Sequence, residues 1–384
     1  MKASVALGLT VGFAASLYSA TPDFAPAPGS PLKIPGGGYN FSLGDVNGDK
    51  KPDLIVVNKD GLKVMFGSGT GTFEPAPITA IKLPHGAGEM LLADFNGDGW
   101  LDWAGAHHDH YDVIVMLGKG NGVFAPAPGS PFRTREGNHP HTHALATGDV
   151  NDDGKLDLVT ANNSDNDVSV LLGDGKGAFT PAPGSPFPVG PGPYPLALGD
   201  VNGDSKLDIV APNLGLPKGQ ITVLLGDGQG AFRPAPKSPF PTAERPYYAA
   251  IADLNGDGKP DVIASHDDSD LLTVMLGDGT GDFKMANGSP LHLGFRVFQV
   301  IAADLDRDGH ADLAAAGEKG IAVLLGDGRG SFRRAKGSPF PTGKGTWRFE
   351  LLDLNNDGKS DIVAGNVESN DISVLLGKQA DQLR

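Results

Sequence analysis

Cysteine is absent from all 384 residues, so disulfides contribute nothing to holding this chain together. Clusters of basic residues are absent too. The 31 Lys and Arg are spread against 46 Asp and Glu, giving a formal charge of −15 and a pI near 5.0. Nucleic acid and anionic membrane are therefore poor partners. Outside the first 20 residues no apolar stretch is long enough to span a bilayer. No Ser-His-Asp set and no nucleotide fingerprint stands out. The abundant residues are Gly (56) and Pro (31), which suit many short strands and turns.

Residues 1–20, MKASVALGLTVGFAASLYSA, place one Lys before an apolar stretch from Ala3 to about Leu17, with Ala20 as a candidate end. This reads as a secretory signal and predicts a secreted, periplasmic or extracellular protein. The bland alternative is a buried N-terminal strand. A chain this long would ordinarily hold two or three domains, but an internal repeat overrides that expectation.

The repeat is a nine-residue pattern, Asp-x-Asn/Asp-x-Asp-x-x-x-Asp, found seven times. Its oxygen-bearing positions are Asp45, Asn47, Asp49 and Asp53; Asp94, Asn96, Asp98 and Asp102; Asp149, Asn151, Asp153 and Asp157; Asp200, Asn202, Asp204 and Asp208; Asp253, Asn255, Asp257 and Asp261; Asp304, Asp306, Asp308 and Asp312; and Asp353, Asn355, Asp357 and Asp361. Oxygen donors at alternate positions of a tight loop converge on one hard cation. All-oxygen sites with several carboxylates suit calcium better than zinc or copper, and magnesium demands a stiffer octahedron. Up to seven calcium ions are expected, which would bring the formal charge from −15 to −1. The alternative is a set of Asp/Asn/Gly turns that bind nothing. Position 12 of the first loop is Val56, where an EF-hand needs Glu, and the flanks are short apolar runs, so each loop joins two strands. Position 6 is Gly in five loops, and Lys50 and Ser205 replace it in the first and fourth.

The third repeat displays the unit. HALATGDV leads into the loop, LDLVTANN returns, DVSVLLGDGKGAF is a third strand with a glycine-rich turn, and FTPAPGSPF is a Pro-rich fourth strand fit for an outer edge. The glycine-rich turns lack the Lys and helix of a P-loop and read as hairpin turns. The seventh third strand ends at Lys378 with no fourth strand behind it, while PDFAPAPGSP from Pro22 is a fourth strand with no blade before it. The N-terminal strand is therefore expected to complete the last blade and close a ring. The expected fold is all-β: a single seven-bladed β-propeller of four-stranded blades over 21–378. Its blades fall at about 37–84, 85–133, 138–188, 189–240, 243–291, 294–340 and 343–378 plus 21–32, with 379–384 as a tail.

Metal loops followed by VLLGDGxGxF segments make this chain resemble the FG-GAP/VCBS repeat family, whose calcium-binding seven-bladed propellers are similar to the integrin alpha-chain N-terminal domain. The resemblance runs from about residue 22 to 378. It implies calcium between the first and second strands on one face and ligand contacts made by loops of the other. The functions it implies range over adhesion, carbohydrate binding, toxin accessory domains and a few lyases.

On that other rim lie His85, His107, His108, His110, His139, His141 and His143. Blades two and three are neighbours, so these groups could meet. Imidazoles there would serve a transition-metal site, acid/base chemistry, or only a packed polar rim. Six positions before each acidic loop stand Tyr39, Gly88, His143, Tyr194, Tyr247, Phe298 and Trp347, near the opposite mouth of the channel. These rings would stack on sugars or hold a peptide, or else pack blade against blade. Arg245, Arg296 and Arg348 lie close by and suit carboxylate groups. The expectation is a monomeric, non-catalytic binding or adhesion module for a glycan or protein ligand. The alternative is a polysaccharide lyase acting on a uronate glycan, with His141 or His143 as base, Arg245 neutralising the carboxylate, and Tyr194 or Tyr247 as acid.

Overall fold

A computed structural model describes residues 22–34, 36, 39–78, 81–215 and 218–378. The expected signal segment 1–20 and the tail 379–384 lie outside them. Each repeat folds as an antiparallel meander. In blade three the strands are Thr142–Gly148, Asp157–Asn162, Asp167–Gly173 and Phe179–Pro181, hydrogen-bonded in that order. Seven such sheets stand round a common axis, their first strands innermost and adjacent from blade to blade.

Burial explains why alternation is weak in the sequence. The second strand of blade three is buried at every position, because a blade has a neighbour on each face. Leu158 packs into a cluster with Phe95 and Ala104 of blade two, while Val159 and Ala161 pack with Ile209 and Ala211 of blade four. The phenylalanines that close the glycine-rich turns reach across these seams. Phe179 meets Phe95 and Phe132 edge-on, each at 5.4 Å between ring centres.

Ring closure is observed. Strand Asp23–Pro26 pairs antiparallel with Asp371–Lys378, Phe24 opposite Gly377 and Pro26 opposite Leu375. A core cluster then joins Val363, Ile372 and Val374 of blade seven to Leu54 and Val56 of blade one. No sheet edge at the seam is left as the free end of an open array.

The Pro-rich outer strand is interrupted, which the sequence did not reveal. In blade two Phe124–Pro126 and Phe132–Arg133 both pair with Asp112–Gly118. Between them the chain leaves the sheet through a turn ending at the cis Ser130–Pro131 bond. Ser130 Oγ accepts the amide of Val115 at 2.9 Å, replacing the missing ladder carbonyl. The same bond recurs at Ser30, Ser185, Ser238, Ser289 and Ser338. At the ring seam Ser30 serves Val374, so the N-terminal segment satisfies a donor of the last blade.

Candidate functional site

Two regions carry chemistry, at opposite ends of the innermost strands. At one end are the acidic loops. In the third loop Asp149 Oδ2 accepts the amide of Gly154 at 2.7 Å, Asn151 Oδ1 that of Asp153 at 3.2 Å, and Asp153 Oδ1 that of Lys155 at 3.0 Å. These local bonds orient the oxygens at positions 1, 3 and 5 and leave each a second lone pair. In the sixth loop one oxygen from each of Asp304, Asp306 and Asp308 lies within 4.8 Å of the others. The donor set fits a hard cation. Where Gly is replaced at position 6 the backbone is unchanged: Lys50 and Ser205 adopt φ of 65° and 66° and donate to Asp45 and Asp200 as Gly154 does to Asp149.

Position 9 has a second role that sequence reasoning missed. All seven of these aspartates are fully buried. In each, one carboxylate oxygen accepts the amide of loop position 2 and the other the amide of the glycine ending the third strand, at 2.7–3.0 Å. Asp157 thus ties Val150 to Gly173. That residue must be glycine, because a Cβ on Gly173 would stand 2.2 Å from the carbonyl oxygen of Leu156. Burial raises the carboxyls of Asp53, Asp102, Asp157 and Asp208 to about 6 and of Asp312 to about 7, against the pull of the two amides. The signal was present in the sequence, as the invariable Gly that closes every VLLG-type strand.

At the other end, rings from several blades meet across the channel mouth. Going round, His143 contacts Tyr194 (4.1 Å between centres), Tyr194 contacts Tyr247 (4.5 Å), Tyr247 contacts Trp347 (5.7 Å) and Trp347 stacks on Phe298 (4.6 Å). Four of these rings lie at register shifts in the innermost strands, between His143 and Ala146, Pro246 and Ala249, Val297 and Val300, and Thr346 and Arg348. A bulge re-aims side chains, and here it accompanies four of the five rings, Tyr194 being the exception. Tyr247 and Phe298 are buried, whereas Tyr194, Trp347 and Tyr39 keep part of their surface in solvent. Beneath them lies a cavity of about 120 Å³ with walls from every blade: Asn40, Glu89, Leu145, Pro195, Tyr248, Gln299 and Arg348.

The proposed acid/base residues are only partly assembled. His141, His143, Tyr194 and Tyr247 form one contact chain. Burial, then His141 and His108, pushes His143 down to about 3, and burial holds the Tyr247 hydroxyl protonated, hydrogen-bonded to Tyr194. Arg245 stands apart from the rings, half-exposed and paired with Asp267. Arg296 shares Asp267 at 3.3 Å and covers the Phe298 ring at 4.7 Å. Arg348 lies inside the channel, 3.2 Å from Glu89 and from the Met90 carbonyl and 3.6 Å from Glu350. Glu350 in turn accepts the Leu43 amide at 3.2 Å, which couples blade seven to blade one.

Six of the seven rim histidines fall into two groups, and His139 belongs to neither. His85, His107 and His110 contact one another with ring centres 4.2–4.6 Å apart. His108, His141 and His143 do so at 4.0–4.9 Å. A further histidine, His266, went unremarked in the sequence. It is fully buried, with Nδ1 2.7 Å from the Glu244 carbonyl and Nε2 2.8 Å from Thr273 Oγ1, and burial lowers it to about 4.

The profile of the FG-GAP-like repeat matches residues 45–105, 94–160, 149–211, 214–264, 253–315 and 304–364. No curated protein sequence matches the chain. Solved structures of similar fold include an Agrocybe aegerita lectin that recognises non-reducing terminal N-acetylglucosamine, 22% identical over 80% of each chain with a TM-score of 0.54. BBS1N, solved in complex with ARL6DN, is 12% identical, covering 96% of this chain and 99% of its own, with a TM-score of 0.57. A protein from Lactobacillus plantarum is 14% identical over 90% and 95%, with a TM-score of 0.55. At such identities the likeness is one of fold.

Proposed function

Because this chain belongs to the FG-GAP-like repeat family, we propose that it is a secreted, calcium-binding propeller acting as a non-catalytic binding module. Its ligand, a glycan, docks at the mouth opposite the acidic loops. The observation that carries this reading is the run of rings from His143 through Tyr194, Tyr247 and Trp347 to Phe298. Trp347 and Tyr194 keep part of their surface in solvent, and partly exposed rings beside polar groups are the kind of surface on which a pyranose stacks. A lectin among the proteins of similar fold is consistent with a sugar ligand. Calcium would be held by positions 1, 3, 5 and 9 of the loops and would fix the blade hairpins, keeping the opposite mouth rigid.

Binding is preferred to lyase chemistry because each arginine suited to a substrate carboxylate already has one: Asp267 for Arg245 and Arg296, Glu89 and Glu350 for Arg348. A glycan array probed with calcium-loaded protein tests the proposal. Retention of one glycan class, lost in Trp347→Ala with the fold intact, is the expected result. Release of unsaturated, ultraviolet-absorbing products from a uronate polymer would overturn it, as would an array without any hit alongside capture of a protein ligand at the same mouth.

A further inference from the structure

The turn after Ala106 presents its histidines to two sides. His107 and His110 meet His85, while His108 meets His141 and His143 at the start of the innermost strand of blade three. In the second group one nitrogen from each ring lies within 4.8 Å of the other two. Thr142 locks the two segments together. Its amide donates to the His108 carbonyl at 3.2 Å and its hydroxyl to the His110 carbonyl at 3.0 Å, so the three rings are held in place by backbone rather than by their own contacts.

The donor state of these rings points the same way. His108 Nδ1 lies 2.7 Å from Asp109 Oδ1. A carboxylate only accepts, so Nδ1 is the donor there and Nε2 is the nitrogen left to bind a metal, the carboxylate–histidine arrangement that orients metal ligands. His143 Nε2 is buried and has no hydrogen-bond partner. A bound cation would supply the partner that this buried ring nitrogen, beside two other imidazoles, lacks.

We propose that His108, His141 and His143 form a three-nitrogen site for a transition ion of the zinc class, separate from the acidic loops at the other end of the blades. Around a tetrahedral zinc with bonds of 2.0–2.1 Å the ligand nitrogens stand about 3.4 Å apart, so the rings need close by no more than about 1.4 Å. A fourth position remains for water or a ligand atom. Imidazole nitrogen is a poor donor for calcium and a good one for zinc, copper or nickel, so the two kinds of site sort their ions by chemistry. The trio of His85, His107 and His110 is the weaker candidate. His85 Nε2 already faces the Asp112 carboxylate at 3.1 Å, and His107 Nδ1 accepts the Asp109 amide at 3.0 Å.

The test uses the full chain saturated with calcium. Titration calorimetry with zinc, and metal analysis after dialysis, should give one zinc per chain with Kd at or below about 10 μM, unaltered by calcium in roughly thousandfold excess. Cobalt in place of zinc should show the intense visible bands of a tetrahedral site. His141→Asn should weaken zinc by at least about 100-fold and Asp109→Asn by about 10–100-fold. His107→Asn and His110→Asn should bind as the parent does. Should His143→Asn fail to fold, exposed His108→Asn supplies the same test. No zinc retained, zinc displaced by calcium, or affinity that follows His107 and His110 instead of His141 would each overturn the assignment.

Discussion

Asp153 and Asp157 stand in one acidic loop, and the structure gives them separable energetic roles. Asp153, at position 5, is exposed; its protein partners are the Lys155 amide and ammonium at 3.0 and 3.1 Å. Removing an exposed group with such partners costs less than about 1 kcal/mol directly. Any larger loss must come through bound metal, which stabilises by about 2.7 kcal/mol per site at one hundred times Kd. Asp157, at position 9, is buried and holds the amides of Val150 and Gly173. Asp157→Ala orphans both donors, at about 1–3 kcal/mol each, or about 2–6 kcal/mol together. Relief of the burial that raises its carboxyl to about 6 draws the figure towards the lower half of that range. Guanidinium unfolding of both variants, in calcium and after exhaustive chelation, separates the roles. Asp153→Ala should lose stability in calcium and match the parent in chelator. Asp157→Ala should lose stability in both. If Asp157→Ala costs under about 1 kcal/mol in chelator, the two-amide tie is energetically idle and the reasoning fails. If the Asp153→Ala loss survives chelation, position 5 does not act through a metal.

Other outcomes follow from the same structure. In calcium-free protein burial raises all seven position-9 carboxyls above their unfolded value of 3.8, five of them (Asp53, Asp102, Asp157, Asp208 and Asp312) to about 6 to 7, so the native state holds the extra protons. Their stabilisation is complete below about pH 4 and is lost as pH rises through 6–7, so calcium-free protein should melt higher at pH 5 than at pH 7.5. Calcium should reverse that slope, because the bound ion favours ionised carboxylates; a calcium-free melting temperature that climbs over this interval would contradict the burial argument. His266 acts in the opposite sense. Its pKa of about 4 lies below the unfolded 6.5, so about 3 kcal/mol of stability present above pH 6.5 is lost as pH falls towards 4. Asn162, Asn213 and Asn366 hold the corresponding place and bond the same third-strand hydroxyl position, so His266→Asn should fold and should flatten this acid limb in a melting series against pH. Lys50→Gly and Ser205→Gly relieve left-handed backbone at φ 65° and 66° and should each add up to about 1 kcal/mol in denaturant titrations, whereas the same exchange at an exposed residue of negative φ, followed as a control, should lose about 0.4–1 kcal/mol.

Much of the architecture was legible because a repeat writes its constraints seven times. The acidic loops gave the hairpins, the stray strand near Pro22 gave closure, and pairing of Phe24 with Gly377 bears that out. The site was less legible. The residue spacing marked a ring position in six repeats, but whether those rings meet depends on bulges such as the shift between His143 and Ala146. Arg245 looked equivalent to Arg348 in the sequence, yet one sits on the rim with Asp267 and the other inside the channel with Glu89.

The chain by itself determined its fold class, its blade count, the joining of its two ends and its family, because short-range turn chemistry and apolar strands recur with a fixed period. Only the tertiary structure decided which side chains share a neighbourhood. It set the rings across the mouth, the carboxylate partners of the arginines, the burial of Asp157 and its fellows, and the division of the histidines into two groups. Those contacts join different strands and loops, many of them from different blades, and their geometry is fixed by how strands pair and sheets pack round an axis rather than by any spacing along one strand.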